Sequence, residues 1–475
     1  MISLLISLFV LAVGYIVYGR LTERVFGPDD RETPAISKSD GVDCVPLHTG
    51  KAFLIQLLNI AGTGPIFGAL MGACFGPVVF LWIIFGCILG GAVHDYFCGM
   101  ISSRNGGASI AELSGKYLGN AVRIGMRVFS VVLLLLTGTV FVTSPAALIA
   151  RLTPKALNIQ FWIIIILLYY ILATLLPIDK LIGKLYPVFG IILIVMAVSV
   201  MGGILIGGYS IPEIEWKDLH PEGLPIWPFM FITVACGAIS GFHATQSPMM
   251  AKCIINEKQG RFVFFGAMVA EAVIALVWAA AGVAFYGTTE ILNDAITNLG
   301  QSGTVYEISK TMLGNVGGIL AVIGVVVCPI TSGDTAFRSA RLILAEITHL
   351  DQRAIKNRLI ITIPLLAAGA VLTQLDFNVL WRYFSWSNQT LAMVSLWTFA
   401  AYLIKESEKK YRSIIVAIPA AFMSAVSLTY ILMAKEGFRL SSNIAYPAGI
   451  SFAVILFGIY IWRLNREKRV FLTKS

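Results

Sequence analysis

The chain has 475 residues, 57% of them hydrophobic and 13% charged, with a mean hydropathy of +0.82. Soluble domains carry roughly a quarter of their residues charged, so this composition excludes a water-soluble enzyme of this length. The net charge of +9 is spread over alternate loops, as membrane topology predicts, which excludes a nucleic-acid-binding face.

Recurrent apolar runs predict one all-α polytopic membrane domain with thirteen helical spans. Span one, near 2–18, has no basic residue before its apolar run and no small-residue cleavage motif after it. It reads as a retained helix with its N-terminus outside. The loop 20–51 carries mixed charge, Pro and Gly, and is expected to be coil with a short helix. Cys44 and His48 lie in it four residues apart, but a lone pair does not make a metal site. The other six cysteines lie in or near apolar runs, and no spacing among the seven resembles a disulfide framework or a zinc site. No cofactor is expected.

Span two, 52–74, holds NIAGTGPIFG at 59–68, with Gly62, Gly64 and Pro65 in the middle of an apolar run. Breaking a helix in lipid is tolerated only where the freed backbone groups meet protein, water or a ligand. Pro65 can open the following helix, because its first turn needs no N–H at that position. Span three, 77–101, carries His94 and Asp95. Neighbours on a helix point about 100° apart, so the two are expected to tie separate helices rather than form one dyad. Spans four to six fall near 124–149, 160–177 and 185–208.

Span seven, 227–248, is interrupted in its turn: FITVACGAISGFHATQSPMMAKC has Gly237, Gly241 and Pro248 around a polar run. Ser247 is expected to cap a second half-helix that begins at Pro248. Both half-helices would aim their positive N-terminal ends at the membrane midplane, an arrangement suited to a carboxylate. The candidate substrate-binding residues are therefore Gly62, Thr63, Gly64, Ser240, Gly241, His243, Thr245, Gln246 and Ser247. The competing reading is that the glycines only permit close helix packing.

Span eight, 262–286, places Glu271 near its centre, and span nine, 312–336, places Asp334 toward one end. Intramembrane ionisable residues are functional candidates by default, so Glu271, His94, Asp95 and Asp334 are taken as proton-coupling candidates. For Glu271 the alternative is a protonated side chain bonded to a neighbouring helix. A short helix is expected around Tyr306–Met312 in the loop 287–311. Spans ten to thirteen follow near 357–373, 379–403, 413–433 and 445–462. Span eleven offers Trp381, Arg382, Trp386, Asn388 and Gln389. With the N-terminus outside, 28 of the 35 lysines and arginines fall at cytoplasmic loops and 6 on the other side. The C-terminus is then cytoplasmic.

Spans two and seven are five apart, so the units 2–6 and 7–11 have opposite orientation. Paired broken helices in inverted halves point to a secondary transporter's binding site. The stretches IAGTGPIFG (60–68), GAVHDYFCGMISSRNGGASIAEL (91–113), ISGFHATQSPMMAK (239–252), ITSGDTAFRSARLILAE (330–346) and LWRYFSWSNQTLA (380–392) resemble the carbon starvation protein A family of peptide and pyruvate transporters. The resemblance implies a LeuT-like five-plus-five inverted repeat, similar to the amino-acid/polyamine/organocation superfamily. Its parts would be an N-terminal helix and loop at 1–50, repeats at 51–208 and 227–404, and two C-terminal helices with a tail at 411–475. It further implies a symporter for pyruvate or short peptides in the cytoplasmic membrane, coupled to H+ or Na+. A sodium site would fall at Thr331, Ser332 and Asp334, against which stands an Asp334–Arg338 pair one turn apart. Many relatives carry a His-His pair just before the first break, where this chain has Ile55 and Gln56. A sensor that binds the solute without moving it is the alternative. No nucleophile motif suggests an enzyme.

Overall fold

The computed structural model describes residues 1–39, 44–175, 178–352 and 354–472, with side chains outside 178–185 and 468–472. The end of the expected tail, 473–475, lies outside the described residues. Apart from one isolated bridge between Leu47 and Ile254, the described chain is helix and loop.

Span one is α1 (Ile2–Phe26), and span two is α2 (Thr49–Ala61) followed by α3 (Gly64–Ala73). Span three is α4 (Val79–Arg104), which contains a π-helical turn at Cys87–Gly91. A short helix α5 (Ile110–Leu118) precedes α6 (Asn120–Leu152), α7 (Ile159–Leu175) and α8 (Ile178–Ile206). Span seven is α9 (Phe231–Thr233), with the turn Ile226–Met230 before it, and α10 (His243–Ala251). Then come α11 (Glu257–Tyr286), α12 (Thr289–Thr348), α13 (Ile355–Leu372), α14 (Phe377–Glu406), α15 (Ile414–Met433) and α16 (Ser442–Leu472). Among the described residues nine helices are long and apolar enough to cross a membrane, and the bent pair α2–α3 makes a tenth. The other three of the thirteen expected spans are the short α7, the broken α9–α10 and the more polar α14. This is a multi-pass membrane protein.

The loops sort to two ends of the bundle, as the charge count predicts. At one end Arg104 pairs with Glu257 at 2.8 Å, and the Leu47 amide donates to Cys253 O. There too Arg127 meets Glu346, Arg412 donates to Arg24 O, and Arg463 donates to Tyr117 O. At the other end Thr289 donates to Leu219 O, Tyr446 donates to Trp227 O, and Arg382 pairs with Glu436.

Several elements differ from expectation. The loop after span three folds as α5, where the Ser109 side chain accepts from the Glu112 amide as a helix cap. The stretch α12 is broken inside, so the expected short helix around Tyr306–Met312 lies between two breaks and span nine follows the second. It turns sharply at Gly300 (φ 69°) and Gly314 (φ 62°), so two helical segments precede the membrane portion. The second half-helix of span seven starts at His243, not at Pro248, and Ser247 lies inside it rather than capping it. Pro248 is accommodated because the Cys98 thiol donates to Ala244 O, the carbonyl that loses its helical donor to the proline.

Candidate functional site

At the first break Gly62 adopts φ 49°, ψ −137°, a conformation closed to residues with a Cβ. It ends α2, and α3 restarts 48° away with Pro65 in its first turn. The Leu58 carbonyl near the end of α2 accepts from the Ser332 hydroxyl at 3.0 Å, so α12 supplies the missing donor. At the second break nine residues, 234–242, are unwound. The Trp82 indole donates to Val234 O, and the Gly241 amide donates to Asn388 O. The Phe242 amide and the Ser240 hydroxyl both donate to Asn388 Oδ1, at 2.5 and 3.0 Å. Gln389 donates to Phe231 O on the other side of the gap. Asn388 and Gln389 thus supply the partners an unwound segment needs away from water. Their one sequence signal is a pair of amides inside an apolar helix.

Packing of α10 on α4, and of α11 beside it, assembles a polar chain at this break. His94 Nδ1 lies 2.9 Å from Asp95 Oδ1, and His243 Nδ1 lies 2.8 Å from Asp95 Oδ2. His243 Nε2 lies 3.4 Å from Glu271 Oε2. All four side chains are fully buried. The expectation that His94 and Asp95 would not pair is corrected: the carboxylate takes His94 with one oxygen and ties a second helix with the other. His243 Nε2 and the Glu271 carboxyl face each other at 3.4 Å, each buried and without a hydrogen-bond partner among the described residues.

The Cys236 sulfur, His243 Nε2 and a Glu271 oxygen lie within 4.8 Å of one another. Such a set has donors of the type zinc takes. However, the Cys236 thiol donates to Ser240 and accepts from Asn388, within the clamp of the unwound segment. The thiol therefore belongs to the clamp, beside the facing His243 and Glu271 side chains.

The other sequence candidates divide. A Cβ on Gly62 would lie 2.6 Å from the Phe141 ring, one on Gly64 would collide with Cys236, and one on Gly241 would collide with Asn388 O. These glycines are close-packed here. The Thr63 hydroxyl is buried without a partner, as is Gln246 Oε1. Ser247 Oγ accepts from Gln56, which joins the two broken spans at the position where relatives are expected to carry histidine. Thr331 donates to Cys328 O, Ser332 to Leu58 O and Thr335 to Ser332 O. Asp334 faces Arg338 at 3.6 Å and Tyr186 at 3.5 Å, so it forms the within-helix pair rather than joining the His243 cluster. A cavity of about 330 Å³ runs from the basic-loop end to Ala244 and Thr245, next to His243 in the chain.

The profile of the carbon starvation protein CstA family matches residues 1–159, 147–301 and 295–430. An uncharacterized membrane protein of Haemophilus influenzae is 45% identical over 341 residues, covering 61% of this chain and 92% of its own. The peptide transporter CstA of Bacillus subtilis is 23% identical, covering 92% and 90%. The pyruvate/proton symporter BtsT of Escherichia coli is 27% identical, covering 52% and 43%. A variant of the Eremococcus coleocola manganese transporter superposes with a TM-score of 0.55 at 14% identity, over 91% of this chain and 99% of that one. MhsT in complex with L-phenylalanine superposes with a TM-score of 0.54 at 14% identity, over 87% and 98%. Likeness at that identity shows the fold, a LeuT-like inverted repeat. The match along nearly the whole sequence places the chain in the carbon starvation protein CstA family.

Proposed function

We propose that this protein is a secondary active symporter that imports a small carboxylate or peptide, pyruvate or short peptides, driven by protons. The relatives named as a peptide transporter and as a pyruvate/proton symporter support the substrate class. The observation that carries the coupling is the buried chain His94–Asp95–His243–Glu271, attached to the unwound part of span seven. If the proton between His243 and Glu271 leaves, a neutral imidazole faces a bare carboxylate, with Asp95 close behind. An uncompensated charge in that surrounding is costly, so α10 must part from α11 or admit water. Proton loading and the position of the half-helix are then one event. The repeats are assigned to 51–208 and 227–404. Gly62, Thr63, Gly64, Ser240 and Gly241 form the occluded part of the path, with Thr245, Gln246 and Ser247 below it. The basic-loop end faces the cytoplasm and the N-terminus faces outward, in the cytoplasmic membrane.

A second reading, sodium coupling, has one observation in its favour. The Ser332 hydroxyl and the Leu58 carbonyl bring oxygen atoms of α12 and the broken span together. Hard oxygen ligands of this kind suit sodium.

Uptake of labelled pyruvate and dialanine into proteoliposomes, under separately imposed proton and sodium gradients, tests both readings. Accumulation on a proton gradient, abolished by a protonophore, is the expected result. Accumulation on sodium alone overturns proton coupling, and no uptake of either solute overturns the transport reading.

A further inference from the structure

The cavity that ends at Thr245 carries charge of both signs. Lys252, one residue past the end of α10, lines it on one side, and Glu112 and Glu346 line it on another. The lysine stem lies against Gly107, where a Cβ would be 2.6 Å from Lys252 Cγ; Gly106 and Gly107 have φ of 69° and 82°. The Asn-Gly-Gly turn therefore makes room for this side chain, and Lys252 has no carboxylate partner among the described residues. Opposite it, the Arg127 guanidinium donates through Nη2 to Glu112 Oε1 at 2.6 Å and to Glu346 Oε1 at 3.1 Å. Arg123 lies at the edge of this group, 4.0 Å from Glu112, and Ser109 donates to Glu346 at 3.4 Å.

The hydrogen bond with Glu346 holds Glu112 below the usual carboxylate range, while burial and Glu112 push Glu346 above it. The floor of the cavity is polar as well. Gln246 is fully buried, and its Nε2 donates to the Thr245 and Ser339 hydroxyls that line the cavity. Its Oε1 has no partner.

We propose that this cavity is a vestibular ligand site on the substrate path that recognises a zwitterion by its two ends. Lys252 takes the carboxylate, and the Glu112–Glu346 pair takes the ammonium. The hydroxyls of Thr245 and Ser339, held from behind by Gln246, meet the amide between them. The volume of about 330 Å³ accommodates a dipeptide and far exceeds a three-carbon keto acid, which would engage only Lys252. The inference rests on the transport reading above and adds to it a second site, below the break, with its own selectivity.

The test is equilibrium binding to the purified full-length protein by calorimetry. Four probes separate the ends: dialanine, N-acetyl-dialanine, which lacks the ammonium, dialanine amide, which lacks the carboxylate, and pyruvate. Charge-assisted bonds of this kind are worth about tenfold or more in affinity each. The wild type should bind dialanine about tenfold more tightly than N-acetyl-dialanine, and Glu346→Gln should bring the two within about threefold while leaving pyruvate unchanged. Lys252→Met should weaken dialanine and pyruvate about tenfold and leave dialanine amide unchanged. Should Glu346→Gln fail to insert, Glu112→Gln removes the other half of the pair and carries the same expectation. Equal weakening of all four probes, or no change in either variant, overturns the vestibular site while transport stands. A wild type that binds pyruvate but not dialanine also overturns the zwitterion site alone. One that binds none of the probes overturns both readings.

Discussion

In the proposed coupling, Glu271 and His243 share a proton that neither can lose cheaply. At 3.4 Å and with no exposure, their contact has no water to screen it. Glu271→Gln keeps the shape but cannot exchange a proton. This variant should bind substrate and catalyse counterflow of labelled against unlabelled solute, yet fail to accumulate it on a pH gradient. Concentrative uptake by the variant on that gradient would remove Glu271 from the coupling scheme. Asp95→Asn should have a different signature. Asp95 is the one acceptor for two imidazole Nδ1 atoms, and an amide offers only one oxygen. One histidine would be left without its partner, at a cost of about 1–3 kcal/mol. The variant should therefore lose thermal stability in detergent, where Glu271→Gln should not. These ionisable residues were legible in the sequence because charge inside an apolar run stands out. Their meeting was not, since residues 95, 243 and 271 come together only through the packing of α4, α10 and α11.

At the scale of elements, the two breaks differ in how much of them is local. Gly62 and Pro65 write the first into the sequence: one supplies the positive φ that ends α2, and the other opens α3. The second is held from 150 residues away, by Asn388 and Gln389 on α14. That is why the local signal Ser247-Pro248 puts the start of the second half-helix several residues too late. Asn388→Ala removes the acceptor for Phe242 N and the Ser240 hydroxyl, and should destabilise the fold by about 1–3 kcal/mol for each group left unpaired. Asn388→Asp, which keeps an acceptor oxygen for both donors and loses only the Nδ2 bond to Cys236, should retain more of that stability. Melting of the purified variants distinguishes the two, and an unaltered melting temperature for Asn388→Ala would contradict the clamp. The glycines make a complementary case. Gly64→Ala should abolish transport by driving a methyl into Cys236, and adding Cys236→Gly should restore a measurable part of it. Gly202→Ala is the control, because no other side chain or distant backbone lies within 4 Å of it. Rescue would show that close approach of the two broken spans is what the glycine provides.

The two ends of the whole molecule differ in charge, and which of them faces the cell interior can be tested. The sequence pattern assigns 28 of 35 basic residues to one set of loops, and the structure brings that set together at one end through pairs such as Arg104–Glu257 and Arg127–Glu346. Sorting of the loops is therefore a property of the fold, while the positive-inside bias supports the proposed direction of insertion. Cys44 would be a natural reporter of direction, but it is buried, so its silence toward a reagent would mean nothing. Ser37 and Glu215 are exposed and lie in loops of opposite assignment. In a variant with the seven native cysteines replaced, Ser37→Cys should resist a membrane-impermeant maleimide in intact cells and react after permeabilisation. Glu215→Cys should react in both. The reverse pattern would invert the molecule, placing the vestibule with Lys252 and Glu346 on the outer surface. It would then be the entrance to the path rather than its exit, and an inward proton gradient would meet substrate at that end first.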